Sequence, residues 1–461
     1  MKPKPFSAPP KYMGCCLNAL LGKVRPMAKQ HSVKAGLRKM VGGAILVGVS
    51  VALATFGGGL SDWTGLGGPS DDIVQRFVAK QVPHGARTTY QLAQAPMATY
   101  RSDAYEDDRY GADVLLSPSL SYAANDVAFF YQQTRRLAPS EVLSSFLNAG
   151  GAPYWGVHQT VLVTTLEGDQ PIRELLAEAV ANFDGQPHIG LGETRVMDDP
   201  RLRIITLLLA KKTFDFHRLK KSLNAGQKTR ITGKLEAGYT APQILAMNPA
   251  GQIRSIPVRT HANQFQFNLQ TSPGRWTIEV IATGPVGPIP LAQVELYVSE
   301  PPPNRIEYRW PQNEDSIKSP STYLTTLVNL SRKEAGLKEL KRVRILDWVA
   351  WQHSEDMRIH EYVGHFSPRS GMLTQRLDRV AYDRNSAGEN VALNSTIADA
   401  HQGLMHSLGH RRNLLNGDYT ELGIGVRKGR IGWYITQIFS GGGASERLER
   451  NKHANLTLGT K

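Results

Sequence analysis

In the C-terminal third of the chain apolar residues return every three or four positions. They fall at Leu324, Leu327 and Leu330 in "TYLTTLVNLSRKEAGL", and at Trp348, Trp351 and Met357 in "DWVAWQHSEDMRIHEYV". This spacing lines up an apolar stripe on one face of a helix. A third helix is expected around "IADAHQGLMHSLGH", and two strands, "TELGIGVRK" and "IGWYITQIF", close the region. Helices alternating with a few strands predict an α-β-α sandwich over residues 320–442. Residues 115–150 carry the same helical period, with Leu120, Ala123, Ala124, Val127 and Phe130 on one stripe and a break near Pro139. "HQTVLVTTL" then reads as a strand, "PIRELLAEAVANF" as a helix and "RLRIITLLLA" as a strand, so 113–212 forms an α/β block. From about residue 213 the period shortens to two. Phe265, Phe267 and Leu269 alternate with polar neighbours, and short runs are punctuated by Gly, Pro and Asn, which predicts a small β-sandwich over 213–300. The chain is therefore read as an α+β multidomain protein. Residues 62–112 and the Pro-rich 301–319 are expected to be linkers, and 443–461 a flexible tail.

Composition alters this picture chiefly at the N-terminus. The formal net charge of +14 would point to nucleic acid if it were spread over a folded surface. Instead nine Lys and Arg residues, and no acid, lie within the first 39 positions. They run into the uncharged "MVGGAILVGVSVALATFGGGLS" of residues 40–61, which includes Ala52-Leu53-Ala54. A basic flank, an apolar stretch and small residues form the layout of a secretory signal, and the stretch is also about long enough to span a bilayer. A buried glycine-rich core segment is the remaining reading; either of the first two makes 1–61 a targeting or anchoring segment, places the rest outside the cytoplasm and removes nucleic acid as the expected partner. The only cysteines, Cys15 and Cys16, precede the apolar run, so the exported part folds without disulfides and has no thiolate zinc site.

Histidines and acids cluster in the last block: His353, His360, His365, Glu389, His401, His406, His410 and Glu421. A histidine on a helix face is usually a packed or solvated side chain, and His353, His360, His401 and His406 are read that way. His365 in "VGHFSPRSG" and His410 in "SLGHRRNLL" have turn-like settings, and Glu389 sits in "SAGENVALN" just ahead of an apolar run. A carboxylate drawn toward a core needs a partner, because an unpaired buried charge is costly. Two imidazoles and a carboxylate are one ligand set for a divalent metal such as zinc, with a coordination position left open.

"LVNLSRKEAGL", "HSEDM", "GHFSP", "AGENVA", "SLGHRRNLL", "ELGIGV" and "GWYITQIF" occur in that order. Together they resemble the bacterial branch of the CAP superfamily, the SCP-like domain of cysteine-rich secretory, antigen five and pathogenesis-related proteins. The resemblance covers about 320–442 and implies an α-β-α sandwich whose cleft holds a tetrad of two His and two Glu. His365 and Glu389 match two of these positions. The other two depart from the pattern. Leu404 and Ser407 stand where eukaryotic members have a Trp and the second Glu, and Tyr434, ahead of Ile435-Thr436-Gln437, stands where they have the second His. His365, Glu389, His410, Ser407, Tyr434 and Gln437 are thus the candidate ligand-binding residues, with His365, Glu389 and His410 also the metal and catalytic candidates. The order of elements in 115–212 roughly repeats that of 320–442, without a GEN-like segment, so the first block is expected to be a degenerate CAP-like copy.

Two functions fit these residues. In the first the protein is a non-catalytic extracytoplasmic binding module for a lipid, sterol-like or envelope ligand, touching the membrane through 40–61 if that segment is kept. In the second it is a metal-dependent hydrolase or peptidase using His365, Glu389 and His410. No Ser or Cys lies in a nucleophile-elbow context.

Overall fold

The computed structural model describes residues 44–47 and 69–441, apart from 108, 111–113, 182, 184, 218, 313, 315 and 316. The last block is the expected three-layer sandwich. Its four-stranded sheet runs in the order Lys341–Arg342, Glu421–Lys428, Trp433–Gly441, Ser386–Asn394. Leu324 and Val328 of the helix Pro320–Glu334, with Ala400 and Leu404 of Ile397–His406, pack on one face over Leu422, Ile435 and Phe439. Leu346, Val349 and Ala350 of the helix Arg344–Ile359, with Leu377 of Leu373–Arg379, pack on the other over Ile438. The glycines of "ELGIGV" decide how close the helix Arg344–Ile359 comes. A Cβ on Gly423 or Gly425 would collide with the main chain of Leu346 or Ala350, so only glycine admits this contact.

The first block has the same strand order. Its sheet includes, in sequence across the layer, Leu115–Leu116, His188–Val196, Asp199–Ala210 and His158–Thr164. In both sheets a two-residue strand pairs parallel to the penultimate long strand, and the last strand pairs antiparallel to both remaining ones. The agreement extends to register. Thr206 lies opposite Gly192 and Val161, as Thr436 lies opposite Gly425 and Val391. Gly190 and Gly192 meet the main chain of Leu120 and Ala124 just as Gly423 and Gly425 meet Leu346 and Ala350. This registration puts Gln159 where the second sheet has Glu389.

Between the two blocks lies the β-sandwich, with sheets of four and five strands. Phe265, Phe267 and Leu269 of one sheet face Trp276, Ile278 and Val280 of the other in a single core, the alternation that the sequence displays.

The two stretches expected to be linkers are structured in part. Residues 62–112 contain the helix Pro69–Val78 and the strand Arg87–Gln91, and the latter pairs with Arg305–Arg309 from the Pro-rich stretch 301–319. The ribbon carries Tyr90, Tyr308 and Trp310 into the first block's core. Hidden aromatics in an alternating polar strand, rather than a long apolar run, hold it there. The expectation of a signal or anchor at 1–61 lies outside the described residues except at Ala44–Val47, which pairs antiparallel with His158–Thr164. The tail 443–461 lies outside them too. No helix among the described residues is long and apolar enough to cross a membrane.

Candidate functional site

Glu389 sits where the strand Ser386–Asn394 passes from its exposed start into the buried sheet. Its side chain is 3% exposed and both carboxylate oxygens are engaged. Arg376 Nη2, on the short helix Leu373–Arg379, donates to Oε2 at 2.5 Å, and His365 Nδ1 donates to Oε1 at 2.9 Å. Burial alone would push the carboxyl upward, but the Arg376 guanidinium and the imidazoles of His353 and His365 outweigh it and hold the group at about 2. Glu389 is thus a fixed anion at neutral pH. With Nδ1–H committed to the carboxylate, a neutral His365 carries its acceptor lone pair on Nε2.

His410, on the helix Leu408–Leu414, lies beside this pair, its ring centroid 6.4 Å from that of His365 and the planes tilted by 33°. Burial, then the neighbouring His365, pushes it down to about 3, so it is neutral, and its Nδ1 has no hydrogen-bond partner among the described residues. The structure therefore brings His365, Glu389 and His410 together. Arg376 is the member that sequence reasoning missed. It lies in the polar "MLTQRLDRV", which looks like a solvent-facing turn of helix, and nothing in that pattern distinguishes it from Arg379.

The other candidates sit elsewhere. Gln437 Oε1 accepts from Asn390 Nδ2 at 3.1 Å, and that amide also donates to His410 O at 3.1 Å, so Gln437 supports the helix that carries His410. Ser407 caps the same helix through its hydroxyl. Tyr434 pairs with Leu393, four positions along the strand from Glu389, in an apolar cluster with Met357 and Val363. Of the histidines read as structural, His353 Nε2 donates to Gly364 O at 2.9 Å, His401 bonds Ser331, and His406 bonds Gln293 and Ser144. Glu421 is bonded by the Tyr382 hydroxyl.

The central sandwich packs against the loop that carries His365. The turn joining the strands Gly274–Gly284 and Gly287–Val298 reaches the His365 loop, where Phe366 N donates to Val286 O at 3.0 Å. A Cβ on Gly364 would lie 2.5 Å from Val286 Cβ, and one on Gly287 would touch His365 Cβ at 3.4 Å. Behind the turn, Glu279 accepts from the backbone N–H of Leu408 at 2.7 Å and of Gly409 at 3.0 Å. Burial raises the Glu279 carboxyl to about 7 against those hydrogen bonds.

A zinc ligand set fits these atoms poorly. Both Glu389 oxygens already accept hydrogen bonds, and a guanidinium 2.5 Å away occupies the position a cation would need. No group of three or more His, Cys, Asp or Glu among the described residues is arranged to hold a metal ion.

The fold of the last block agrees with a family comparison. Residues 325–439 match the model of the cysteine-rich secretory protein family, CAP, and this part of the chain is a CAP domain. The chain is 41% identical over 114 residues to "Uncharacterized membrane protein YlbC" of Bacillus subtilis, covering 24% of this chain and 32% of that protein. It is 34% identical over 128 residues to "Uncharacterized protein YkwD" of the same organism, covering 27% of this chain and 49% of that protein. The chain thus spans about a third to a half of these relatives. Among solved structures, an extracellular SCP-domain protein of Bacillus anthracis aligns with 50% of this chain and 87% of its own at 20% identity, with a TM-score of 0.26. A cysteine-rich secretory protein of Staphylococcus aureus aligns with 58% and 90% at 13% identity, with a TM-score of 0.24.

Proposed function

We propose that this chain is an exported binding module in which the His/Glu cluster of the CAP domain shapes a recognition cleft rather than performing catalysis. The observation that carries this reading is the closed Arg376–Glu389–His365 pairing. It neutralises the carboxylate, removes both oxygens from chemistry and leaves no anionic cage for a metal. Export is supported by the basic-then-apolar layout of residues 1–61 and by the membrane assignment in the name of the YlbC relative. The first block is proposed to be a second copy of the CAP topology that has lost the cleft. Gln159 stands in for Glu389 and is engaged with the backbone of Ala138 instead of a histidine. Lipids, sterol-like molecules and envelope components remain the ligand classes to screen.

Calorimetric titration of zinc into the full chain tests the reading, with Arg376→Met as the comparison. No one-to-one heat is expected from the native chain at micromolar metal. Stoichiometric binding that is lost in His365→Ala and His410→Ala would overturn it. One observation favours the hydrolase alternative: His410 keeps an unpartnered Nδ1 close to His365, as a proton acceptor would. Turnover of ester or peptide substrates that disappears in His410→Ala would establish that alternative.

A further inference from the structure

We propose that the cleft beside His365 is a receptor for a polypeptide β-turn, and that in this chain the turn Gly284–Gly287 occupies it in cis. The inference rests on the binding-module reading and names its ligand class. The occupant's contacts are those by which any peptide is recognised. One is a main-chain hydrogen bond, Phe366 N to Val286 O at 3.0 Å. The other is a branched apolar side chain seated flush on a glycine, since Gly364 has no room for a Cβ beside Val286. The turn is preorganised for the role. "TGPVGPIP", residues 283–290, sets Val286 among Pro285, Pro288 and Pro290, and Gly287 takes a φ of 100° that other residues rarely adopt. Little conformational entropy is then lost when it docks.

The turn belongs to a larger latch. Glu279, in the strand leading to the turn, caps the His410 helix, and Gln293, in the strand leaving it, approaches His406 Nε2 at 2.8 Å. With its amide turned so that Oε1 accepts from His406, Gln293 also donates to Glu279 Oε2 at 3.1 Å. Ser144 of the first block meets the same His406 nitrogen at 2.8 Å. Three domains therefore hold the turn in place, and the cleft is free for an outside ligand only when the sandwich moves. A partner protein presenting a proline-flanked turn with a β-branched tip has the chemistry to take that place.

The experiment uses the full chain. Val286→Asp puts a charge at the tip and should expel it. The paired change Pro285→Asn with Val286→Gly keeps a tight turn without the apolar tip and guards against misfolding, which circular dichroism monitors. The probe is a cyclic peptide of residues 283–290. It should bind either opened variant and should bind the native chain about tenfold more weakly, as a cis competitor bound some nine-tenths of the time requires. Adding Gly364→Val should abolish that binding, and diethyl pyrocarbonate should modify His365 faster once the turn is displaced. Unchanged His365 reactivity, or no peptide binding to the opened variants, would overturn the proposal. If the peptide fails to bind and the opened variants instead hydrolyse ester or peptide substrates, the binding-module reading falls as well. If it fails without turnover, only the turn receptor is lost.

Discussion

At the scale of single residues, the site depends on Arg376 as much as on the motif residues. Glu389 is buried and ionised because a guanidinium shares its pocket, so removing that guanidinium leaves an unpaired interior charge. Arg376→Met should destabilise the chain by about 3–5 kcal/mol at pH 7, read as a lower urea midpoint. Glu389→Gln in the same background should restore much of that loss, which a merely bulky substitution would not do. The pH dependence has a definite sign. Glu389 is held near 2 in the fold against 4.5 for the free group, so its contribution is present above about 4.5 and disappears as the pH falls through 2. The amount is on the order of 3 kcal/mol. Urea melts between pH 5 and pH 2.5 should lose most of this increment in the native chain and not in Glu389→Gln. His365 and Glu389 were legible because each stands in a distinctive local string, "GHFSP" and "AGENVA". Arg376 was not, because its role depends on where a short helix falls in space. Tyr434 was legible as a family position but not as a packing environment: it joins Met357 and Val363.

At the scale of elements, four glycines set the distance between helix and sheet in two different blocks. Gly425→Val must drive a side chain into the main chain of Ala350, and overpacking of this kind typically costs about 1–3 kcal/mol, occasionally more. Gly192→Val should behave alike against Ala124. Thermal melts of both variants, beside Gly251→Val at an open but positive-φ turn, would separate the clash from backbone strain. Equal losses at all three positions would mean that the close helix contact is not what these glycines provide. The stripe from Leu120 to Phe130 and the period-two strands could be read because each is a local pattern. Leu330, Trp348 and Trp351 of the expected C-terminal stripes, however, lie exposed, and those helices bury Val328 and Leu346, Val349 and Ala350 against the sheet instead. The repeated order of elements was legible only coarsely, since the shared register rests on Thr206 and Thr436 and on small residues that carry no apolar signal. The Arg87–Gln91 ribbon escaped because its partner, Arg305–Arg309, is distant in sequence and both strands are short and largely polar.

At the scale of the whole molecule, the β-sandwich packs its Gly284–Gly287 turn against the loop that carries His365. Its chemistry was invisible in sequence because Glu279 is a single acid in an apolar strand, "RWTIEVIATG", and gains meaning only from the amides of Leu408 and Gly409. Its titration runs opposite to that of Glu389. Burial raises Glu279 to about 7, with the Leu408 and Gly409 amides, the Ser407 hydroxyl and Arg412 opposing it. The neighbouring His406, lowered to about 4 by burial, then Arg275 and Arg411, stays neutral across this range. A carboxyl whose docked value exceeds its free value of 4.5 favours docking when protonated. The docked arrangement should therefore be firmest below about pH 4.5 and weaken as the pH rises through 7. Exchange protection of the Leu408 and Gly409 amides, normalised for intrinsic rate, should fall between pH 5.5 and pH 8 in the native chain and stay level in Glu279→Gln. That neutral side chain keeps one acceptor and cannot ionise, so equal slopes in the two proteins would mean that the ionisation of Glu279 does not govern how the sandwich sits on the CAP domain.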